Sequence, residues 1–217
     1  MVGREGFRSQ LDEIKNQLLH MGSSISSVLE KAKAGFRSGN EDVLHQLIKE
    51  DEKINQLEHE LNDSVTLLIT KQQPVASDLR RLIVTLKISS DLERVGDLAV
   101  DLAKASLRLD PNLLIEIKEK MIIMLGLAEQ MIAESLEAYS DSDVMAAQKI
   151  ASLDDHVDQM YGELIHELFQ LDTNEVEVHQ ITELAFIGRY IERMADYATN
   201  ITEWVIYEAN GQHFDLN

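Results

Sequence analysis

The chain reads Leu92-Glu-Arg-Val-Gly-Asp-Leu-Ala-Val-Asp-Leu102 and, 99 positions further on, Ile191-Glu-Arg-Met-Ala-Asp-Tyr-Ala-Thr-Asn-Ile201. The two stretches share Glu, Arg, Asp and Ala at equivalent positions, and several of the other pairs are close substitutions. A shift of 103 positions matches a second region, so that Asp51-Glu-Lys-Ile-Asn55 falls on Asp154-Asp-His-Val-Asp158. An internal duplication explains both matches, whereas chance similarity between unrelated helices does not.

Five breaks divide the sequence into segments with helical periodicity. Pro74 and Pro111 mark two breaks, because a proline inside a helix costs about 3 kcal/mol. Clusters of Ser, Gly, Asn, Asp and Thr mark three more, at 38–40, 140–143 and 172–174. Each segment is long enough to favour helix over strand, and the six run over residues 5–37, 41–70, 77–109, 113–139, 143–170 and 175–208.

The predicted fold is all-α, with two tandem, sequence-related three-helix bundles. The low content of two prolines and ten glycines suits long helices. The first bundle is expected to cover residues 1–110 and the second residues 111–217. We expect Ser77 or Asp78 to cap the third helix and Asn174 to cap the sixth, because these side chains accept hydrogen bonds from helix N–H groups.

The composition excludes several classes of function. The chain has 39 acidic residues against 20 basic ones, a formal charge of −19, which disfavours a nucleic-acid partner and attracts cations. A negative surface also serves solubility alone. No stretch approaches the roughly 18 apolar residues of a membrane span, and no apolar signal core follows the N-terminus, so we expect no membrane insertion. With no cysteine there is no disulfide, thiolate site or cysteine nucleophile, which fits the cytoplasm.

Carboxylates recur at every fourth position of the third and sixth helices, at Glu93, Asp97 and Asp101 and again at Glu192 and Asp196. Side chains four apart share one helix face, and two like charges about 6 Å apart repel by roughly 3 kcal/mol. Two sources of compensating charge are compatible with the pattern. One is arginine, since Arg94 precedes Asp97 by three residues and Arg193 precedes Asp196 by three. The other is a metal ion that prefers oxygen ligands, such as Mg²⁺, Mn²⁺, Ca²⁺ or iron.

The histidines do not strengthen the case for a metal. Glu163-x-x-His166 has the spacing of a di-iron carboxylate helix, but that chemistry needs a second such motif. The first half has Glu60 and Asp63 at the matching positions, with no histidine. We interpret His166 and the other six histidines as ordinary surface or interhelical residues.

Residues 78–100 resemble the third helix of the PhoU family, and residues 191–203 resemble its sixth. The resemblance implies two similar three-helix bundles, a homodimer and metal clusters at the acidic motifs, with Mg, Mn, Fe, Ca or Zn as the ion. By resemblance, the first site consists of Asp51, Glu93, Asp97 and Asp101, and the second of Asp154, Asp158, Glu192 and Asp196. Asn55 and Asn200 stand where the family pattern has carboxylates, and an amide oxygen contributes no charge.

The same resemblance implies a function. PhoU-like proteins are non-enzymatic negative regulators of the phosphate response on the cytoplasmic side. They link a phosphate ABC transporter, through its ATP-binding subunit, to a sensor histidine kinase. One alternative is an accessory protein of a low-affinity phosphate permease. A more distant alternative is a di-iron oxidoreductase on a helical bundle.

Overall fold

The computed structural model describes residues 2–213, and within them the all-α prediction is confirmed. This part of the chain forms six helices and no strand. The helices are α1 Val2–Ser38, α2 Glu41–Gln72, α3 Ala76–Ser106, α4 Ile115–Asp141, α5 Val144–Phe169 and α6 Val178–Asn210. Each predicted segment corresponds to one helix, with ends displaced by a few residues.

In two interhelical loops, a polar side chain caps the N-terminus of the helix that follows. The Asn40 Oδ1 atom accepts hydrogen bonds from the backbone N–H groups of residues 42 and 43 at the start of α2. Asp143 does the same for residues 145 and 146 at the start of α5. Both side chains satisfy donors that have no partner inside the helix.

The caps predicted for α3 and α6 are wrong. Val75 and Glu177 occupy those cap positions, and neither side chain makes a capping hydrogen bond. The helix α3 begins at Ala76, so Ser77 lies inside its first turn. Asn174 lies in the loop before α6, where its side-chain amide donates to Asp172 Oδ1 at 2.7 Å.

The helices pack as two bundles of three that meet along two seams. Helices α1, α2 and α3 contact one another, as do α4, α5 and α6, while α3 packs on α6 and α1 on α4 between the halves. Within residues 2–213, α2 contacts only α1 and α3, and α5 contacts only α4 and α6. The stripes of carboxylates therefore lie on helices α3 and α6, which join the two halves, and the matching acids lie on the outer helices.

Small residues allow close packing beside the acidic stripes. A Cβ atom on Gly96 would lie 3.3 Å from both Ile25 and Ile54, side chains of α1 and α2. Ala195, its equivalent in α6, is fully buried. None of the helices in the described part of the chain is both apolar and long enough to cross a bilayer.

Candidate functional site

The acidic residues of the second half form a tight cluster between α5 and α6. Carboxylate oxygens of Asp158, Glu192 and Asp196 all lie within 4.8 Å of one another. Asp158 is exposed, whereas Glu192 is only 9% exposed. At this separation two ionised carboxylates repel by about 3 kcal/mol for an effective dielectric constant of 20. The fold therefore brings together carboxylates that repel one another unless one of them is protonated or a cation is bound between them.

Burial and mutual repulsion raise the pKa values of this cluster. Desolvation, followed by the charges of Asp196 and Asp158, raises the pKa of Asp154 to about 6. Desolvation and the neighbouring Asp196 raise the pKa of Glu192 to about 7, although Arg189 opposes the change. The pKa of Asp196 is also raised, chiefly by desolvation and then by Asp158. With a pKa of about 7, Glu192 is therefore partly protonated near neutral pH when no cation is bound.

Two carboxylate oxygens in and beside this cluster lack a hydrogen bond of normal geometry. Asp154 Oδ1 and Glu192 Oε2 are buried without such a partner within the described residues, although the Thr199 hydroxyl lies close enough to Asp154 to oppose the rise of its pKa. Buried polar atoms without partners are uncommon in native proteins. The donor set consists of oxygens alone, which suits a hard cation better than it suits Zn²⁺. The residues of the second half therefore fit a bound metal ion.

The ion pairs considered from the sequence, between an arginine and the aspartate three residues later in α3 and α6, do not form in the described part of the structure. Among residues 2–213, neither Arg94 nor Arg193 forms an ion pair with a carboxylate. Arg193 Nη2 donates to the Tyr197 hydroxyl at 3.2 Å, and Arg94 lies 5.9 Å from the centre of the same ring. Arg189, which the sequence pattern did not single out, donates instead to Glu192. Arg189 thus compensates part of the negative charge of the second cluster by direct contact, and Arg193 does so at longer range, since its charge also lowers the pKa of Asp196.

The acidic residues of the first half affect one another's pKa values but form a looser group. Burial, followed by the charge of Asp97, raises the pKa of Glu93, and burial followed by the charge of Asp51 raises the pKa of Asp97. Asp51 Oδ1 and Asn55 Oδ1 are buried without hydrogen-bond partners. Within the described residues, however, no three carboxylates of this half approach within 4.8 Å.

Asp101 differs from the other predicted ligands, because its charge is already paired. Its Oδ1 atom lies 3.3 Å from Lys104 Nζ one turn later in α3, and both side chains are about half exposed. Its charge still contributes to the raised pKa of Asp97, so it lies near the stripe. Asp101 therefore belongs to the margin of the first group.

The two halves correspond to a known family. The family model described as "PhoU domain" matches residues 18–106 and again 121–205. The chain belongs to the PhoU family. Each match lies within one of the predicted halves, while the exact boundary near residue 110 stays a prediction.

Relatives of this PhoU-family chain match it along almost its whole length. The "Phosphate-specific transport system accessory protein PhoU homolog" of Clostridium acetobutylicum is 36% identical, covering 99% of each chain. The crystal structure of the phosphate transport system regulatory protein PhoU from Streptococcus pneumoniae has a TM-score of 0.90 and 31% identity, covering 96% of this chain and 99% of that one. PhoU from Pseudomonas aeruginosa has a TM-score of 0.86 and 27% identity, covering 95% and 100%.

The structure adds one acidic residue to the first PhoU group. Glu58 on α2 is a further cause of the raised pKa of Glu93. It follows Asp51 by seven positions and Asn55 by three, so it lies on the same helix face, and this spacing could have revealed it. The 103-residue shift places Tyr161 at the equivalent position of the second half, so the duplication does not preserve this acid.

The Glu-x-x-His pair of this PhoU-family chain lies outside both groups. Glu163 and His166 are exposed on α5, and they accept or share hydrogen bonds with Gln159 and Gln170 at 2.8 and 3.1 Å. This placement agrees with the interpretation of His166 as a surface residue.

Proposed function

We propose that this protein is a non-enzymatic regulator of phosphate uptake that acts in the cytoplasm. In this role it exerts negative control on the phosphate response by linking the ATP-binding subunit of a phosphate ABC transporter to a sensor histidine kinase, as a homodimer. Membership of the PhoU family and the names of the relatives, which describe accessory and regulatory proteins of phosphate transport, support the transport context. The observation that carries the mechanism is the crowding of carboxylates in the second half.

In this proposal the carboxylates hold metal ions that act in regulation. Asp158, Glu192 and Asp196 form the stronger site, since their oxygens lie within 4.8 Å of one another. Asp154 lies outside that group but beside it, because the charges of Asp196 and Asp158 raise its pKa, and its Oδ1 atom is buried without a hydrogen-bond partner among residues 2–213. Asp51, Glu93 and Asp97 form a weaker one, with Asp101 at its margin. A bound cation would supply positive charge and Lewis acidity. The all-oxygen donor set favours Mg²⁺, Mn²⁺, Ca²⁺ or iron over Zn²⁺.

The position of the sites suggests how an ion would influence partners. Each candidate site joins an outer helix, α2 or α5, to a helix that packs at the seam between the halves. Each outer helix contacts only two others within the described residues, so fewer contacts hold it. Loss of the ion would restore repulsion between carboxylates and loosen the outer helix. The surface offered to a transporter or kinase would change with it.

The direct test is elemental analysis of protein purified without a chelator or a metal-binding tag. We expect a near-integer amount of metal in the wild type and a loss of at least half of it in the Asp158→Asn/Asp196→Asn variant. Glu163→Gln, which removes an exposed acid from the same outer helix, is the matched control and should leave the metal content unchanged. Equal metal content in all three proteins would refute the metal site.

The regulatory part needs a test in cells. Deletion of the gene should leave a phosphate-repressed reporter active in phosphate-rich medium, and the wild-type gene should restore repression. Repression that is intact after deletion would contradict negative control. Recovery of a low-affinity permease instead of an ABC transporter after crosslinking would favour the alternative accessory role.

A further inference from the structure

A polar pocket lies near the C-terminal end of α6, away from the carboxylate cluster at the middle of that helix. Its two adjoining cavities, of about 110 and 230 Å³, share Arg81, Tyr139, Ser142 and Glu208 as lining residues. Glu208 follows Glu192 by four and a half helical turns, or about 24 Å along the helix axis. Ligand sites for drug-sized molecules usually occupy about 300–1,000 Å³. The volume of this pocket therefore suits a small ligand.

Three cationic side chains converge on this pocket in a protein of net charge −19. Lys15 Nζ donates to the backbone carbonyl of Ser140 at 2.5 Å, near the end of α4. Arg80 Nη1 donates to the backbone carbonyl of Glu208 at 3.2 Å, near the end of α6. Each side chain uses one donor for this contact, although an ammonium group has three and a guanidinium five. The remaining donors can bind an anion without disturbing these contacts.

The pocket also contains hydroxyl groups and the start of a helix. The hydroxyls of Tyr139 and Thr85 lie 3.2 Å apart, and both side chains are buried. Ser77 lies in the first turn of α3, a helix whose N-cap residue, Val75, makes no side-chain hydrogen bond. Thr85 Oγ1 donates its proton to the backbone carbonyl of Arg81 at 3.0 Å, so Tyr139 donates to Thr85 and neither proton is available to a ligand. The start of α3, with Ser77 in its first turn, is the part of this wall that favours a small anion.

Glu208 indicates which kind of anion fits. Its Oε1 atom lies 3.6 Å from Arg81 Nε, while its Oε2 atom is buried and has no hydrogen-bond partner within the described residues. The hydrogen bonds that Lys15 and Arg80 donate to carbonyl groups near helix ends explain the positions of these two side chains. They leave Glu208 Oε2 without a hydrogen-bond donor in the part of the chain that the structure describes. A partner for it must donate a hydrogen bond. The lining has three cations, Lys15, Arg80 and Arg81, against two carboxylates, Asp12 and Glu208, so its net positive charge favours an anion. An oxyanion that still carries a hydroxyl group meets both demands.

We propose that this pocket binds hydrogen phosphate, with Lys15, Arg80 and Arg81 holding the anionic oxygens and Glu208 Oε2 accepting a hydrogen bond from the phosphate hydroxyl. Inorganic phosphate keeps at least one hydroxyl near neutral pH. Sulfate has none, and a phosphate monoester loses its last one above a pKa of about 6. Sulfate and a fully ionised phosphate monoester would each place a negatively charged oxygen, with no proton to donate, against Glu208 Oε2. The pocket therefore distinguishes free phosphate from sulfate and from phosphorylated side chains or lipid headgroups.

This inference goes beyond the proposed regulatory function and depends on neither a metal nor a partner. The test is titration calorimetry of the purified full-length protein at pH 7.5 with inorganic phosphate, sulfate and O-phosphoserine. A chelator is present throughout, so that no phosphate binds to a metal at the carboxylate clusters and a failure of the metal proposal does not affect the result. We expect phosphate to bind at least about tenfold more tightly than either of the other two anions.

Two variants separate the roles within the pocket. Arg81→Gln removes a charge-assisted contact from a side chain that is 58% exposed, and should weaken phosphate binding about tenfold. Arg37→Gln is the matched control, because Arg37 is 56% exposed and lies 3.7 Å from Glu119 in a similar ion pair elsewhere. Glu208→Gln removes the negative charge opposite the ligand and should bring the affinities for sulfate and phosphate within about threefold of each other.

Three results would overturn the proposal. The first is no phosphate binding at millimolar concentration by a wild-type protein that melts cooperatively. The second is equal binding of sulfate and phosphate by the wild type. The third is equal loss of binding in Arg37→Gln and Arg81→Gln, since that would indicate attraction to surface charge in general.

Discussion

Glu192 should destabilise the metal-free protein above neutral pH, and its replacement by Gln measures by how much. Its pKa rises from 4.5 to about 7 in the folded state. The folded state therefore binds this proton more tightly than the unfolded state, and stability falls as pH rises between these values. A gap of about 2.5 pH units corresponds to about 3 kcal/mol at high pH. This value already includes the Arg189 contact, which opposes the rise of the pKa, so Glu192→Gln should stabilise the metal-free protein by about 2–3 kcal/mol at pH 8.

Thermal unfolding in the presence of a chelator tests this value. For a chain of this size, about 2 kcal/mol raises the Tm by roughly 4–8 °C. The gain should fall below about 1 kcal/mol at pH 5, where Glu192 is protonated in the folded wild type, and should vanish only below the unfolded-state pKa of 4.5. Glu163→Gln, at an exposed position of α5, should change the Tm by less than about 1 °C at either pH. A lower Tm for Glu192→Gln at pH 8 would show that the Arg189 pair outweighs the repulsion, and the reasoning would fail.

Three further predictions concern stability and can be checked by urea denaturation. Trp204→Phe removes the 3.1 Å hydrogen bond from the indole to the buried Asp91 carboxylate between α6 and α3, and should cost about 1–3 kcal/mol. Arg108→Ala removes both 2.7 Å hydrogen bonds to Glu183, which is 6% exposed, and should cost about 2 kcal/mol or more. Asn40→Ala should cost about 1 kcal/mol through loss of the α2 cap. A change below about 0.3 kcal/mol in any of these would contradict the contact concerned.

The sequence predicted the helices well because their signals are local. Hydrophobic periodicity and proline positions depend on neighbouring residues, and all six predicted segments are helices in the structure. The exact first residue of each helix was harder to predict from the sequence. Ser77 is a good capping residue, yet α3 begins at Ala76, since the fold selects among several nearby starting points.

The pairing of charges was predicted less well. An arginine three residues before an aspartate can pair with it in an isolated helix, and this made Arg94 and Arg193 the natural choices. In the folded protein, the guanidinium groups of Arg94 and Arg193 lie 5.9 and 6.0 Å from the centre of the Tyr197 ring, and neither forms an ion pair with a carboxylate within the described residues. Arg189 reaches Glu192 instead.

The sequence by itself determined the all-α class, the duplication and the stripes of carboxylates, because each follows from spacing along one helix. Tertiary structure decided how close the acids of two different helices come, since that depends on the rotation and separation of the packed helices. It brought Asp158 to Glu192 and Asp196 within 4.8 Å, but left the acids of the first half further apart. It also placed Lys15 and Arg81 beside Glu208, more than 120 positions away in the chain, which no local pattern encodes.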